Sequence, residues 1–216
     1  MWMAMGSDAS LFHLFTHGIF KAGLFLAAGA VIHTVHSQSL NDMGGLRKKA
    51  PLAALAYLIF GAGLMGLPLT GGFFSKENIA GYLYANEQFE LLGVLGVGTV
   101  LTSFYISRQF YLIFMGPVKD GSPEKNTALN LPIRLLIIAS LSIWFSLHPF
   151  EMRSYAFLTI YRIPSFWLYI TAATWVLGIG LTYFTRNWIP SGNYQFLPRF
   201  WPSLFSLIRW KSRSAQ

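Results

Sequence analysis

One stretch near the start of the chain is long and apolar enough to cross a lipid bilayer, yet it carries three basic side chains. It reads SLFHLFTHGIFKAGLFLAAGAVIHTVH, residues 10–36, and about 20 helical residues span the ~30 Å hydrocarbon core. Its His13, His17 and Lys21 are spaced four apart, so a helix places them along one stripe. A bare ammonium group near the bilayer centre costs at least ~2.5 kcal/mol. We therefore expect Lys21 to lie in a protein-lined or water-lined environment and the stripe to form a path for charge.

The composition is that of an integral membrane protein. Of the 216 residues, 54% are hydrophobic and only 11% are charged. The net charge of +8 does not indicate nucleic-acid binding, because the basic residues fall in loops between apolar segments rather than on one soluble face. The chain has no cysteine, which excludes disulfides, thiolate metal sites and iron–sulfur ligands.

Apolar segments bounded by polar residues, glycine or proline predict an all-α membrane protein with about five transmembrane helices. The segments cover roughly residues 10–36, 51–84, 90–115, 131–149 and 165–185. The second is longer than one crossing requires, and it contains Pro68 and several glycines at 66–72. We therefore predict that this helix is broken near 66–72.

The distribution of lysine and arginine predicts the orientation. With successive loops on alternating sides, twelve of the 16 basic residues fall on or near one side, which is then the inner side. These are Arg47, Lys48, Lys49, Arg108, Lys119, Lys125, Arg134, Arg186, Arg199, Arg209, Lys211 and Arg213. Arg153 and Arg162 fall on the other side. We expect residues 189–216 to form a basic amphipathic tail on the inner surface. Only Lys21 and Lys76 remain without an aqueous side.

Lys76 follows the predicted break, on its outer side, and Glu77 is adjacent to it. Transporters use broken helices to place backbone groups and an ionisable residue within the membrane, so Lys76 is a candidate for proton transfer. Glu77 is a weaker candidate, since a residue in this position is more often a solvated helix-terminal carboxylate. His13 and His17 can exchange protons near neutral pH, although each could simply bond to a neighbouring helix. Two histidines without a third ligand make a poor metal site, so we expect no metal.

Four motifs together resemble one known family. They are HLFTHGIFKAGLFLAAGAVIH, MGGLRKKAP, GLPLTGGFFSKENI and TSFYISRQFYLIFMG. In order and spacing they resemble chain 5, the antiporter-like membrane subunit of the proton-pumping NADH:ubiquinone oxidoreductase, respiratory complex I. The match is dense over about residues 5–115, and over 131–190 it rests on the pattern of spans alone.

The resemblance implies an antiporter-like half-channel. In it His13, His17 and Lys21 would be the central proton relay, and Lys76 the terminal lysine that leads to the outer side. Residues 1–115 would form the channel helices and 116–188 two packing helices. The chain would bind no cofactor, since NADH, FMN, iron–sulfur clusters and ubiquinone would bind to other subunits of the complex.

The family also suggests partners and a location. Its members carry further helices before the stretch that opens this chain, so we expect a fragment of a split subunit, completed by an amino-terminal fragment on another chain. The neighbouring antiporter-like chain, other membrane-arm subunits and membrane lipids would be further partners. The expected location is the mitochondrial inner membrane, with the bacterial plasma membrane as the alternative.

Two other functions stay open. The chain could belong to the large subunit of a Mrp-type cation/proton antiporter, which resembles the same channel. It could also be a structural membrane-arm subunit that does not conduct protons. The presence of Lys21 and Lys76 argues against the structural role, because buried charges are costly to keep without a function.

Overall fold

The structure is a computed structural model, and it describes residues 7–68, 70–117, 129–142 and 165–185. Within these ranges the chain is helical and contains no strand. The helices are α1 (Ser7–Val35), a short 3-10 helix (Leu40–Asp42), α2 (Pro51–Met65), α3 (Gly71–Ala85), α4 (Phe89–Phe110) with a π-helical continuation (Tyr111–Met115), α5 (Asn130–Ser142) and α6 (Ser165–Thr185). The predicted tail at 189–216 and the end of the predicted fourth span lie outside the described residues.

Two helices in the described part of the chain are long and apolar enough to cross a membrane: Ser10–Val35 and Phe89–Met115. Helices α2 and α3 have 15 residues each, so either one alone reaches only about 22 Å at ~1.5 Å per residue. Only the two in succession are long enough for one crossing. They flank residues 66–70, inside the stretch where the sequence predicts a break.

Local signals at the break end one helix and begin the next. Gly66 lies in the left-handed region with φ 78°, a conformation that glycine adopts without strain, and it ends α2. Thr70 caps α3, because its side-chain oxygen accepts a hydrogen bond from the backbone N–H of Phe73 at 3.2 Å. The sequence therefore specifies both helix ends.

Paired glycines let the first three helices pack closely. Phe20 of α1 lies against Gly63 of α2, and Phe60 of α2 lies against Gly23 of α1. A Cβ atom at either glycine would come within 2.6 Å of the facing ring. At Gly72, the start of α3, a Cβ atom would lie 1.8 Å from the carbonyl oxygen of Gly63. These approaches bring the polar residues of α1 and α3 to the same point on α2.

Helix α4 packs against α2, α3 and α6. Its contact with α6 uses small residues, since a Cβ atom at Gly178 would lie 2.5 Å from that of Ser103. Ser107 and Thr182 share a hydrogen bond of 2.7 Å across the same pair of helices. With this packing, α4 forms one wall of the space between α1 and α3.

Candidate proton-transfer site

The candidate residues His13, His17, Lys21 and Lys76 all line one cavity of ≈ 160 Å³. The first three come from α1 and the fourth from α3. Thr102 and Tyr105 of α4 complete its polar lining. A cavity of this volume has room for about five water molecules at ~30 Å³ each. The site is therefore a polar pocket between α1, α2, α3 and α4.

Lys76 reaches back across the helix break. Its Nζ atom donates hydrogen bonds to the carbonyl oxygens of Leu64, at 2.9 Å, and Met65, at 3.2 Å. Both carbonyls belong to the last turn of α2, where the helix dipole carries partial negative charge. The ammonium group is thus bound at the end of the preceding helix. Lys76 also lines the cavity that Lys21 lines, and its place nearer the outer exit stays a prediction.

These two bonds complete the hydrogen bonding of the end of α2. A helix leaves its last four carbonyls without partners inside the helix. Those of Ala62 and Gly63 accept hydrogen bonds from the N–H of Gly66, at 3.0 and 3.1 Å. The remaining two are the carbonyls that accept from Lys76. The broken helix and the lysine therefore depend on each other structurally.

His13 is joined to α3 through a serine. Its Nδ1 atom lies 3.0 Å from Oγ of Ser75, and the hydroxyl of Thr16 lies 3.3 Å from the same oxygen. Ser75 is fully buried and lies 3.1 Å from the carbonyl oxygen of Gly72. When Ser75 donates its hydrogen to that carbonyl, His13 Nδ1 carries a hydrogen, and Nε2 is the atom that can accept a proton.

His17 and Lys21 continue the stripe along α1. The ring centroids of His13 and His17 are 5.6 Å apart. Lys21 is partly buried, and among the described residues no hydrogen bond or ion pair holds its ammonium group. It instead lines two cavities, the one above and a second of ≈ 260 Å³. Lys21 thus faces two cavities lined by protein side chains, and that water fills them stays a prediction.

Glu77 is not the solvated carboxylate that its position in the sequence suggests. It is 2% exposed, because α3 continues past it and α4 and α6 cover that face. It lines a small cavity of ≈ 20 Å³ together with Lys76 and the threonines Thr99 and Thr174. Glu77 is therefore an interior acidic group beside the candidate site.

Several polar residues of the site did not stand out in the sequence. Ser75 forms a hydrogen bond with His13, and the hydroxyl of Thr16 bonds to Ser75. Tyr57 and Gln109 line the second cavity with Lys21. The signal for all four is a hydroxyl or amide within an otherwise apolar helix. No cluster of three or more His, Asp or Glu side chains suited to a metal ion occurs within residues that the structure describes.

The comparisons with known proteins agree with the motifs. Residues 1–102 match the family model described as NADH:quinone oxidoreductase/Mrp antiporter, TM. The chain is 42% identical to NADH-quinone oxidoreductase subunit L of Escherichia coli over 146 residues, which is 65% of this chain and 24% of the relative. It is 36% identical to NAD(P)H-quinone oxidoreductase subunit 5, chloroplastic, of Mesostigma viride over 174 residues, which is 70% of this chain and 26% of the relative.

A third relative is NAD(P)H-quinone oxidoreductase chain 5 of Synechocystis, 38% identical over 57% of this chain and 20% of the relative. The chain thus spans about a quarter of the length of the curated relatives that it matches. The resemblance drawn from the four motifs is confirmed: over about two thirds of its length, the chain is similar to subunit L and chain 5 of the NADH-quinone oxidoreductases.

Proposed function

We propose that this chain forms part of the membrane arm of an NADH–quinone oxidoreductase and carries protons through a relay of His13, His17, Lys21 and Lys76. One observation supports this most strongly. Four ionisable residues from two helices, separated by up to 63 positions along the sequence (76 − 13), line one polar cavity inside an apolar bundle. Ionisable residues within a membrane that face a cavity large enough for water are typical of proton paths.

The proposed direction follows the predicted orientation. Lys21 takes up a proton at Nζ from the inner side, and the proton then crosses the cavity through water and the imidazoles to Lys76. His13 lies beside Ser75, so the histidines fit the step between the two lysines rather than the uptake at Lys21. Lys76 then releases its proton to the outer side, past the small cavity that Glu77 lines.

The two lysines are suited to alternate. Both lysines line the same cavity, and two ammonium groups in one site disfavour each other's charged form. Protonation of Lys21 therefore favours loss of the proton from Lys76. No redox chemistry occurs on this chain in the proposal. NADH, FMN, iron–sulfur clusters and quinone would act on other subunits.

The proposal also covers the number of membrane crossings, the partners and the location of the chain. The chain would cross the membrane about five times, with α2 and α3 as one broken crossing. Its partners would be the neighbouring membrane-arm subunits, among them the adjacent antiporter-like chain, and lipids. The bacterial relatives support the plasma membrane as its location, and the mitochondrial inner membrane stays a prediction.

A cation/proton antiporter of the Mrp type is the second candidate, because the matching family model covers both classes. Both functions would use the same relay. They differ in the driving force: the first requires oxidation of NADH, and the second requires a sodium gradient. A role as a non-conducting structural subunit accounts less well for Lys21, whose ammonium group faces cavities.

Native electrophoresis of gently solubilised membranes tests the assignment. The gel is stained for NADH dehydrogenase activity, and the stained band is identified by peptide mass spectrometry. We expect the chain to co-migrate with the activity and with other membrane-arm subunits of the oxidoreductase. Migration in a small band without activity, together with sodium-dependent proton flux in vesicles, would contradict the proposal in favour of the antiporter.

A further inference from the structure

The second cavity lies beside Lys21 toward the carboxyl-terminal end of α1, and three of its polar lining residues are not used by the proposed relay. It has a volume of ≈ 260 Å³, and its polar lining is Lys21, Tyr57, Tyr105 and Gln109. It shares Lys21, Leu64 and Tyr105 with the relay cavity. Lys21 therefore lies where the two cavities meet.

A buried hydrogen bond stands in the wall of this second cavity. The hydroxyl of Tyr57 on α2 donates to Oε1 of Gln109 on α4. Tyr57 is 5% exposed, and its ring packs beside those of Phe110 and Phe114, with centroids 6.2 and 5.8 Å away. The aromatic contacts fix the position of the Tyr57 ring, and the hydrogen bond to Gln109 fixes the direction of its hydroxyl hydrogen.

Tyr57 and Gln109 lie near the end of the bundle that is predicted to face the inner side. Tyr57 lies six residues after Pro51, the first residue of α2, which follows the basic residues Arg47, Lys48 and Lys49. The backbone N–H of Leu46 donates to the carbonyl of Ile113 at 3.2 Å, so this basic loop is joined to the end of α4 just beyond Gln109. By the distribution of positive charge, this end of the bundle faces the inner compartment.

We propose that Tyr57 and Gln109 position water at the inner entry to Lys21 and so set the rate at which protons reach it. The inference rests on the proposed function. Gln109 accepts the hydrogen of Tyr57, which leaves the lone pairs of the phenolic oxygen to accept a hydrogen from water in the cavity. That water passes a proton to Nζ of neutral Lys21 and takes up another from the next water on the inner side. One O–H bond breaks and one forms at the water, an N–H bond forms at Lys21, and Tyr57 and Gln109 end the step unchanged. Both are positioning residues.

The experiment uses the assembled NADH–quinone oxidoreductase in sealed vesicles, with Tyr57→Phe and Gln109→Leu. Each change removes one side of the hydrogen bond and keeps most of the side-chain volume. We expect the rate of proton pumping per assembled complex to fall about two- to tenfold, the effect that one hydrogen bond has on a rate. The slowdown in D₂O should be larger than in the wild type, because proton delivery to Lys21 then limits the rate.

Two further variants make the result decisive. Tyr169→Phe removes the same hydroxyl from an exposed tyrosine of α6 that is 77% exposed and lines none of these cavities, and it should behave as the wild type. Lys21→Met is the reference for the relay itself.

If Tyr57→Phe pumps normally while Lys21→Met does not, the inference is wrong and the proposed function stands. If Lys21→Met also pumps normally, the proposed function fails. A lower pumping rate with an unchanged D₂O effect would show a structural role and overturn the inference.

Discussion

Nζ of Lys76 donates a hydrogen bond of 2.9 Å to the carbonyl oxygen of Leu64, twelve residues earlier in the chain and on the other side of a helix break. The same nitrogen donates to the next carbonyl, that of Met65. A buried carbonyl without a partner costs about 1–3 kcal/mol, so the lysine stabilises the end of α2 while the helix end stabilises its charge. Loss of a proton from Lys76 would weaken both bonds.

Replacement of Lys76 by arginine should separate its structural role from proton transfer. Arginine supplies N–H donors for the two carbonyls, but it does not give up its proton in proteins. We expect Lys76→Arg to assemble close to wild-type levels and to pump at least about tenfold more slowly, as general acid–base groups contribute ~100-fold or more. The measurement is the proton-pumping rate divided by the amount of assembled complex.

Lys76→Met is the companion variant, because it removes both the donors and the proton. We expect it to lower assembly as well, since the carbonyls of Leu64 and Met65 lose a partner. Normal pumping by Lys76→Arg would show that Lys76 acts only as a helix cap.

A methyl group at Gly72 should prevent α2 and α3 from packing. The added Cβ atom would lie 1.8 Å from the backbone oxygen of Gly63, and backbone cannot move aside as a side-chain end can. We expect Gly72→Ala to reduce assembled complex severely. The matched control is Gly98→Ala on α4, where a Cβ atom meets nothing within 4 Å among the residues that the structure describes. Equal amounts of the two variants in membranes, measured by immunoblot, would contradict the packing.

Ser75→Ala should slow proton transfer by removing the hydroxyl beside Nδ1 of His13. The ring would lose the group that fixes its orientation, and we expect pumping to fall about two- to tenfold, the effect of one hydrogen bond. Ser107→Ala is the control. It also removes a hydroxyl that bonds between helices, to Thr182 at 2.7 Å, but Ser107 does not line the relay cavity. Similar losses of pumping in both variants would point to general destabilisation instead.

The sequence predicted the elements that depend on local signals. The four-residue spacing of His13, His17 and Lys21 predicts their common face, and all three line one cavity. Proline and glycine at 66–72 predict the break, and α2 ends at Met65. These features are encoded within a few turns of the chain, so they can be read without knowledge of the tertiary structure.

Contacts between distant segments could not be predicted in this way. Lys76 donates hydrogen bonds to the end of α2, across the helix break, and no pattern in the sequence shows this contact. Glu77 was expected to be solvated, and α4 and α6 bury it. The Tyr57–Gln109 bond joins residues 52 positions apart. Gln109 lies in the motif TSFYISRQFYLIFMG, but the motif does not show which residue of α2 it meets. In each case the outcome depends on which helix packs beside which.

The ratio of protons pumped to NADH oxidised, measured in sealed vesicles with Lys21→Met, tests the central claim most directly. Methionine keeps the length and packing of the side chain but cannot carry a proton, and Lys48→Met in the exposed inner loop is the control for loss of a positive charge. The account predicts normal assembly of both variants, with a lower ratio or a blocked coupled reaction only for Lys21→Met. A fully assembled Lys21→Met complex that oxidises NADH and pumps protons as the wild type does would contradict it.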